Sequence, residues 1–172
     1  MDRPQTVSRS EWATADLCDA HPGRVRVAAQ ILRDYGGRRS FHGRITTLRA
    51  VEDYRPVLRA LEEPGAGRVL VVDGGGSLRR AILGERLLGL AARNGWAGVV
   101  IHGAIRDSAL TAGIPIGLRA LGTTPCRGES GAAGARDVPV EFAGLVFGPG
   151  EWLWADHDGL VIGEASLAEA AT

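Results

Sequence analysis

Lysine is absent from this sequence, and all 20 of its basic residues are arginine. Schiff-base aldolases, pyridoxal enzymes and P-loop nucleotidases each need a lysine amine, so the absence excludes these kinds of chemistry. An enzyme of this sequence that stabilises a carbanion must therefore use a metal ion or fixed dipoles. The arginine usage itself indicates no function, because a GC-rich coding bias produces the same composition.

Cysteine and aromatic residues are also scarce. Only 5% of the residues are aromatic, and the two cysteines, Cys18 and Cys126, are far apart and fit no CxxC spacing. This usage is typical of proteins of a reducing compartment. We therefore expect the thiols of Cys18 and Cys126 to have no catalytic or metal-binding role.

Excess charge and long apolar runs are missing as well. The 20 basic and 20 acidic residues cancel, and no basic stripe stands out, which argues against direct nucleic-acid binding. The polar segment Met1–Glu11 has no signal-peptide core, and no run approaches the ~20 apolar residues of a membrane span. We therefore expect a soluble, cytoplasmic protein that does not engage a membrane.

The residues that are present predict one α/β domain. Apolar residues make up 45% of the 172 residues, and 25 glycines indicate many tight turns. The predicted strands are Arg24–Ala29, Ile45–Val51, Arg68–Val72, Gly98–Ile105, a step that begins within Ile114–Ala120, and strand pairs formed by Val138–Phe147 and Glu151–Ile162 around turns at Gly148-Pro149-Gly150 and His157-Asp158-Gly159. The predicted helices are Ala15–Asp19 capped by Thr14, Tyr54–Leu61, Glu85–Asn94 and Ala165–Ala171. The order predicts a central βαβ unit and a strand-rich C-terminal third, with 126–137 as a surface loop.

The most informative pattern is Glu85, then twenty residues, then Arg106-Asp107. Each end follows an apolar run that predicts a buried strand. Because neighbouring strand ends of an α/β sheet meet in one crevice, we expect two acids and a fixed cation to lie together there. Such a trio can hold a hard metal ion and a small oxyanion.

Each part of this pattern has a purely structural alternative. Gly84 precedes a predicted helix, whose first amides can bind a carboxylate, but a glycine there can also simply allow a tight bend. Arg106 offers a bidentate fork to a carboxylate or ketone, although a surface ion pair with Asp107 would use the same residues. Asp107 suits Mg²⁺ or Mn²⁺, and a single aspartate without histidine neighbours binds such a metal only weakly unless the substrate completes the site.

Other motifs do not predict a site. The glycines of 73–76 match neither GxGxxG nor GxxxxGK[ST], and Ser77 and Ser108 lack a nucleophile elbow. The four histidines show no ligand spacing and are interpreted as turn or core residues. They are His21, His42, His102 and His157.

Several motifs together resemble one family. They are Thr14–Ala20 (TADLCDA), Phe41–Thr47 (FHGRITT), Val71–Ser77 (VVDGGGS), His102–Asp107 (HGAIRD), Ala120–Thr123 (ALGT) and Ala155–Gly159 (ADHDG). The sequence is similar to the RraA-like family, which includes the regulator of ribonuclease E activity A and class II 4-hydroxy-4-methyl-2-oxoglutarate aldolases. The similarity covers approximately residues 12–163. We therefore expect the whole chain, 1–172, to form a single domain of this family.

The resemblance implies a swivelling β/β/α domain and a ring-shaped homotrimer with sites at the subunit boundaries. By the same match, Gly84, Glu85, Arg86 and Leu87 would cradle the pyruvyl group of a 2-keto acid substrate. Arg106 would hold its ketone or carboxylate, and Asp107 would anchor the metal. The first acid is often aspartate in the family but is glutamate here. In a trimer, the loops 123–136 and 33–39 would form the facing wall of a neighbour's site.

These observations predict a lyase that depends on Mg²⁺ or Mn²⁺. Cleavage of 4-hydroxy-4-methyl-2-oxoglutarate, or a related 4-hydroxy-2-keto acid, would leave a pyruvate enolate stabilised by cations and helix-start amides. Glu85, through water, would position removal of the C4 hydroxyl proton, with Arg106 as the other catalytic residue. Oxaloacetate would lose CO₂ through the same enolate. The alternative is a non-catalytic regulator that binds and inhibits a ribonuclease E-type enzyme.

Overall fold

A computed structural model describes residues 12–167 of the chain. The helices are α1 (Thr14–Ala20), α2 (Arg55–Leu61), α3 (Glu85–Arg93) and α4 (Ser108–Thr111). The strands are β1 (Val25–Val27), β2 (Arg33–Asp34), β3 (Phe41–Arg49), β4 (Val69–Asp73), β5 (Gly98–Ile105), β6 (Gly117–Thr123), β7 (Ala135–Arg136), β8 (Val140–Phe142), β9 (Leu145–Phe147), β10 (Trp152–Ala155) and β11 (Leu160–Gly163).

One large mixed sheet organises the chain in the order β1-β11-β10-β3-β4-β5-β6-β2, with β7 pairing β3 beside this path. The four central strands β3, β4, β5 and β6 are parallel, and α2, α3 and α4 connect them in turn. The predicted βαβ unit is therefore β4-α3-β5. The strands added after β6 make the C-terminal third strand-rich, as the sequence predicts.

Alternating side chains of the central strands supply two hydrophobic layers. On β4, Leu70 and Val72 pack toward α2 and α3, whereas Val69 and Val71 pack toward the hairpin of β8 and β9. This alternation gives every central strand two buried faces, which explains why these runs are continuously apolar. The mixed α/β fold, with helices on one face and strands on the other, agrees with the predicted β/β/α class.

Two local predictions need correction. Thr14 does not cap α1: its hydroxyl and its backbone N–H donate to the two carboxylate oxygens of Asp156, at 2.7 and 2.8 Å. Burial raises the pKa of Asp156, but hydrogen bonds from Thr14 and Asp158 outweigh it and hold the pKa below its usual value. The side chain of Thr14 thus joins α1 to the turn between β10 and β11.

The second correction concerns the C-terminal turns. The strands β8 and β9 pair around Ala143-Gly144, whose φ angles of 53° and 72° are those of a two-residue hairpin turn with both central residues left-handed. Gly148-Pro149-Gly150, predicted as a hairpin turn, instead leads from β9 to β10, which belongs to the large sheet. Of the predicted helix Ala165–Ala171, the part from residue 168 onward lies outside the described residues. Between residues 12 and 167, no helix has the length and apolarity needed to cross a bilayer.

Candidate active site

The two ends of the predicted pattern meet at the carboxyl end of the parallel strands. The segment before α3 runs beside the end of β5: Ile82 N–H donates to Ala104 O at 3.0 Å, and Arg106 N–H donates to Leu83 O at 2.9 Å. These two bonds fix the entry to α3 against the residues that follow β5. Gly84 and Asp107 are therefore neighbours in space because of the backbone pairing itself.

Gly84 allows this close approach. A Cβ atom added at Gly84 would lie 2.6 Å from Asp107 Oδ2 and 3.1 Å from Arg106 Cγ. Its backbone is extended, with φ −142° and ψ −169°, so the glycine is required by space and not by a left-handed turn. The reading of Gly84 as a residue that merely permits a tight bend is thus incomplete, since the space is filled by the Asp107 carboxylate.

The first turn of α3 offers backbone donors to the same space. Glu85 N–H points to Asp107 Oδ2 at a donor–acceptor distance of 3.3 Å, which is a weak hydrogen bond. The N–H groups of Arg86 and Leu87 have no acceptor among the described residues, as is usual at the start of a helix. With the partial positive charge of the helix N-terminus, they form an anion-binding end.

Arg106 and Asp107 are close without being locked together. Arg106 Nε lies 3.8 Å from Asp107 Oδ2, which is longer than a hydrogen bond, and the two side chains are 37% and 41% exposed. Asp107 takes a left-handed backbone conformation, with φ 58°, at the start of α4, and makes no capping hydrogen bond to that helix. The ion pair with Asp107 therefore leaves both side chains accessible, and both also line a cleft.

The cleft has a volume of about 350 Å³ and contains all six residues of the predicted site, Gly84, Glu85, Arg86, Leu87, Arg106 and Asp107. It is further lined by Tyr54, Ala81, Leu83 and Arg127, for which the sequence pattern predicts no role in the site. The lining therefore contains three arginines and two carboxylates, so its chemistry favours a small anionic ligand.

Arg127 reaches the cleft from the loop 126–137. The sequence predicts this stretch as a surface loop, and a trimer would place the overlapping loop 123–136 against a neighbour's site, whereas Arg127 lines the cleft of its own chain. The signal that could have found it is strand order: β6 is the next parallel strand after β5, and this loop follows its carboxyl end. The segment 33–39 contains β2 at the sheet edge and does not line this cleft.

Asp53 anchors the loop that carries Arg127. Its buried carboxylate accepts bonds from the Arg55 side chain and from the Gly131 backbone N–H. The Arg55 guanidinium is the main reason that the pKa of Asp53 falls from 3.8 to about 2, and the backbone N–H groups of Arg55 and Gly131 add to this effect against burial.

Because the pKa is lowered on folding, the ionised Asp53 stabilises the protein above pH 4, and this contribution disappears as the pH falls toward 2. Asp53→Asn is expected to lower the free energy of unfolding at pH 7 by roughly 2 kcal/mol. Denaturant titrations at pH 7 and at successively lower pH should show the wild-type advantage shrinking below pH 4. An advantage that stays constant down to pH 2 would contradict this role.

In the cleft, Asp107 offers a carboxylate ligand to a hard divalent cation. Asp107 Oδ2 faces Glu85 N–H and Arg106 Nε, while Asp107 Oδ1 has no hydrogen-bond partner among the described residues. Across residues 12–167, no group of three or more His, Cys, Asp or Glu side chains could hold a metal. One carboxylate is the protein share that Mg²⁺ or Mn²⁺ accepts when waters and substrate oxygens supply the rest.

Gly84→Ala tests the close packing at this site. The new methyl group would force Asp107 or Arg106 to move, since 2.6 Å is well below any real contact distance. We expect this displacement to lower the rate at least about tenfold, which corresponds to a loss of about 1.4 kcal/mol in transition-state stabilisation. Steady-state rates of pyruvate release from 2-keto acid substrates would measure it. Gly89→Ala, on the same helix where only Arg93 Nη1 comes near at 3.3 Å, is the control and should stay close to wild type.

The remaining motifs have structural roles. Gly74 and Gly76 donate their N–H groups to the carbonyl of His102, both at 3.0 Å, so this glycine run turns the chain back along β5. His102 Nδ1 lies 3.3 Å from Asp73 Oδ1, and its ring stacks on Phe142 with centroids 4.7 Å apart. These contacts agree with the interpretation of His102 as a core histidine.

Relatives of this chain carry differing names. A provisionally named 4-hydroxy-4-methyl-2-oxoglutarate aldolase of Alkalilimnicola ehrlichii is 50% identical over 91% of this chain and 98% of its own. A Geobacillus kaustophilus structure, described as S-adenosylmethionine: 2-dimethylmenaquinone methyltransferase, has 46% identity, coverage of 91% and 98%, and a TM-score of 0.88. The RNA-processing inhibitor RraA of a Thermus species has 46% identity, coverage of 89% and 93%, and a TM-score of 0.85.

The model of the RraA-like family, described as Aldolase/RraA, matches residues 14–162. That range holds the parallel strands, the entry to α3 and every residue that lines the cleft. The chain is a member of the RraA-like family.

Proposed function

We propose that this protein is a lyase that cleaves 4-hydroxy-4-methyl-2-oxoglutarate, or a related 4-hydroxy-2-keto acid, to pyruvate. The observation that carries the proposal is the arrangement of free helix-start amides, Arg106 and Asp107 around one small cleft. Similar chains bear the names of an aldolase, a methyltransferase and an inhibitor, so names alone do not decide between these functions. The cleft favours the aldolase because its donors suit a 2-keto carboxylate.

The backbone of α3 and the side chain of Arg106 bind the part of the substrate that becomes the enolate. The N–H groups of Arg86 and Leu87 donate to the substrate carboxylate, and Arg106 donates to the 2-keto oxygen. Mg²⁺ or Mn²⁺ held by Asp107 would supply a second positive charge to the 2-keto group. Negative charge develops on that oxygen during cleavage, so fixed donors aimed at it lower the barrier.

Cleavage breaks the C3–C4 bond of the substrate. The C4 hydroxyl loses its proton and becomes a ketone, and the bonding electron pair moves to C3 to form the pyruvate enolate, which is then protonated. Glu85, on the exposed first turn of α3, takes up the hydroxyl proton through a water molecule. Oxaloacetate would reach the same enolate by losing CO₂, so we propose decarboxylation as a second activity.

Pyruvate release from both substrates tests the proposal. The purified protein is assayed as prepared, after EDTA, and after return of Mg²⁺ or Mn²⁺. We expect turnover that EDTA abolishes and either metal restores. Turnover unaffected by EDTA would refute the metal-dependent mechanism, and no release from any 4-hydroxy-2-keto acid or oxaloacetate would refute the lyase.

A second candidate function rests on similarity to the RNA-processing inhibitor of the Thermus species. A non-catalytic protein of this fold would bind and inhibit a ribonuclease E-type enzyme. Pull-down with such an enzyme, followed by an RNA-cleavage assay, separates the two: tight inhibitory binding without lyase activity favours the regulator. The homotrimer that the family resemblance implies also stays a prediction.

A further inference from the structure

We infer that Arg127 binds the second carboxylate of the substrate and makes the cleft selective for dicarboxylic 2-keto acids. This inference rests on the proposed function, because it assumes that the helix-start amides and Arg106 hold the pyruvyl end. Arg127 is the remaining arginine that lines the cleft from a separate segment of chain. A substrate anchored at one end by α3 and Arg106 would meet it at the other.

Backbone pairing holds Arg127 at a fixed place relative to Arg106. The short segment before α3 lies between them: Ala81 forms one parallel bridge with Ala104 of β5 and another with Arg127. Two strand spacings, about 10 Å in total, therefore separate the backbones on the two sides of this segment. The long arginine side chains enter one cleft from both sides, which suits a ligand with an anionic group at each end.

The residues on both sides of Arg127 are anchored. Ala81 N–H donates to Cys126 O at 2.7 Å, Gly128 N–H donates to Ala81 O at 2.9 Å, and Tyr54 N–H donates to Gly128 O at 3.0 Å. A Cβ at Gly128 would lie 2.4 Å from Glu52 O, so only glycine fits there. The backbone that presents Arg127 is thus fixed before a ligand arrives, which reduces the entropy lost on binding.

Neighbouring side chains orient Arg127, but they use only part of its hydrogen-bonding capacity. Its guanidinium lies 5.1 Å from the centroid of the Tyr54 ring, and one nitrogen, Nη2, pairs with Glu129 Oε1. Its other guanidinium nitrogens have no hydrogen-bond partner within residues 12–167, and half of the side chain is exposed. Arginine presents five N–H donors, so Arg127 can keep Glu129 and still bind a carboxylate.

Arg127→Met removes the charge and keeps most of the side-chain length. The assay compares 4-hydroxy-4-methyl-2-oxoglutarate, which has two carboxylates, with 4-hydroxy-2-oxopentanoate, which has one. We expect kcat/KM for the dicarboxylate to fall about 10- to 100-fold, mostly through KM, as loss of a charged hydrogen bond predicts. The value for the monocarboxylate should change less than about twofold, within the effect of an exposed charge.

Arg127→Lys should restore part of the preference, because it keeps the charge but not the fork. Arg24→Met, which removes an exposed arginine near β1, is the control for lost charge and should leave both substrates unaffected. Equal losses on the two substrates, or no loss on the dicarboxylate, would overturn the inference.

A binding measurement separates this inference from the proposed function. Titration calorimetry with 2-oxoglutarate and with pyruvate, each with Mg²⁺, needs no turnover. Arg127→Met should weaken 2-oxoglutarate binding about 10- to 100-fold and leave pyruvate binding unchanged. That result in a protein without lyase activity would refute the proposed function and support the role of Arg127. Unchanged 2-oxoglutarate binding would refute the role of Arg127, whatever the turnover.

Discussion

Arg106→Ala is expected to lower kcat/KM for pyruvate release about 10²–10³-fold, the usual cost of removing one fixed donor from a developing oxyanion. The side chain is 37% exposed and makes no hydrogen bond within the described part of the chain, so the loss should be chemical and not structural. Steady-state kinetics with oxaloacetate and the aldol substrate, with circular dichroism to check folding, would measure it.

Arg106→Lys distinguishes recognition by shape from recognition by charge. Lysine keeps a positive charge but presents no planar fork, so we expect only partial recovery relative to alanine. Arg24→Ala, at a residue that does not line the cleft, removes an equal charge and should retain wild-type rates. If Arg106→Ala kept its rate within a factor of about three, a difference of under 1 kcal/mol, Arg106 would have no role in the transition state.

Asp107→Asn is the second change with a large expected effect. The amide keeps the shape of the carboxylate but loses its charge, so metal binding and the response of turnover to Mg²⁺ or Mn²⁺ should both disappear. We expect the rate to fall about 10²-fold or more, since a bound cation supplies several kcal/mol of transition-state stabilisation. Titration of the protein with Mn²⁺, followed by calorimetry or magnetic resonance, reports metal binding without any turnover.

The fold should survive this substitution. Asp107 makes no capping bond to α4, its one backbone contact is the weak 3.3 Å bond from Glu85, and asparagine tolerates the left-handed backbone at φ 58°. Asp137→Asn changes another left-handed aspartate, at φ 55° and outside the cleft, and is the matched control. Unchanged Mn²⁺ binding in Asp107→Asn would show that the metal is held elsewhere.

Much of the architecture could be predicted because it depends on local patterns. The continuous apolar runs of β4 and β5 indicate strands buried on both faces, and helical spacing followed by Gly95 indicates where α3 ends. From these elements the meeting of Gly84 with Arg106 and Asp107 follows, since parallel strands place their carboxyl ends at one edge.

The local details that could not be predicted depend on distant partners. Threonine is a common helix cap, yet the Thr14 hydroxyl donates its hydrogen bond to Asp156, at the other end of the sequence. The sequence favours a hairpin turn at Gly148-Pro149-Gly150, because glycine and proline are strong turn formers, whereas the hairpin of β8 and β9 turns at Ala143-Gly144. In both places a short-range preference is weaker than the contacts that the sheet imposes.

The sequence by itself determined the α/β class, the central βαβ unit and the pairing of an acid, an arginine and a second acid in one crevice. Only the tertiary structure decided which residues close that crevice. Arg127 enters it because Ala81 pairs on both sides at once, with β5 and with the loop after β6. No periodicity in the loop encodes this placement, since the hydrogen bonds that fix it join residues far apart in the chain.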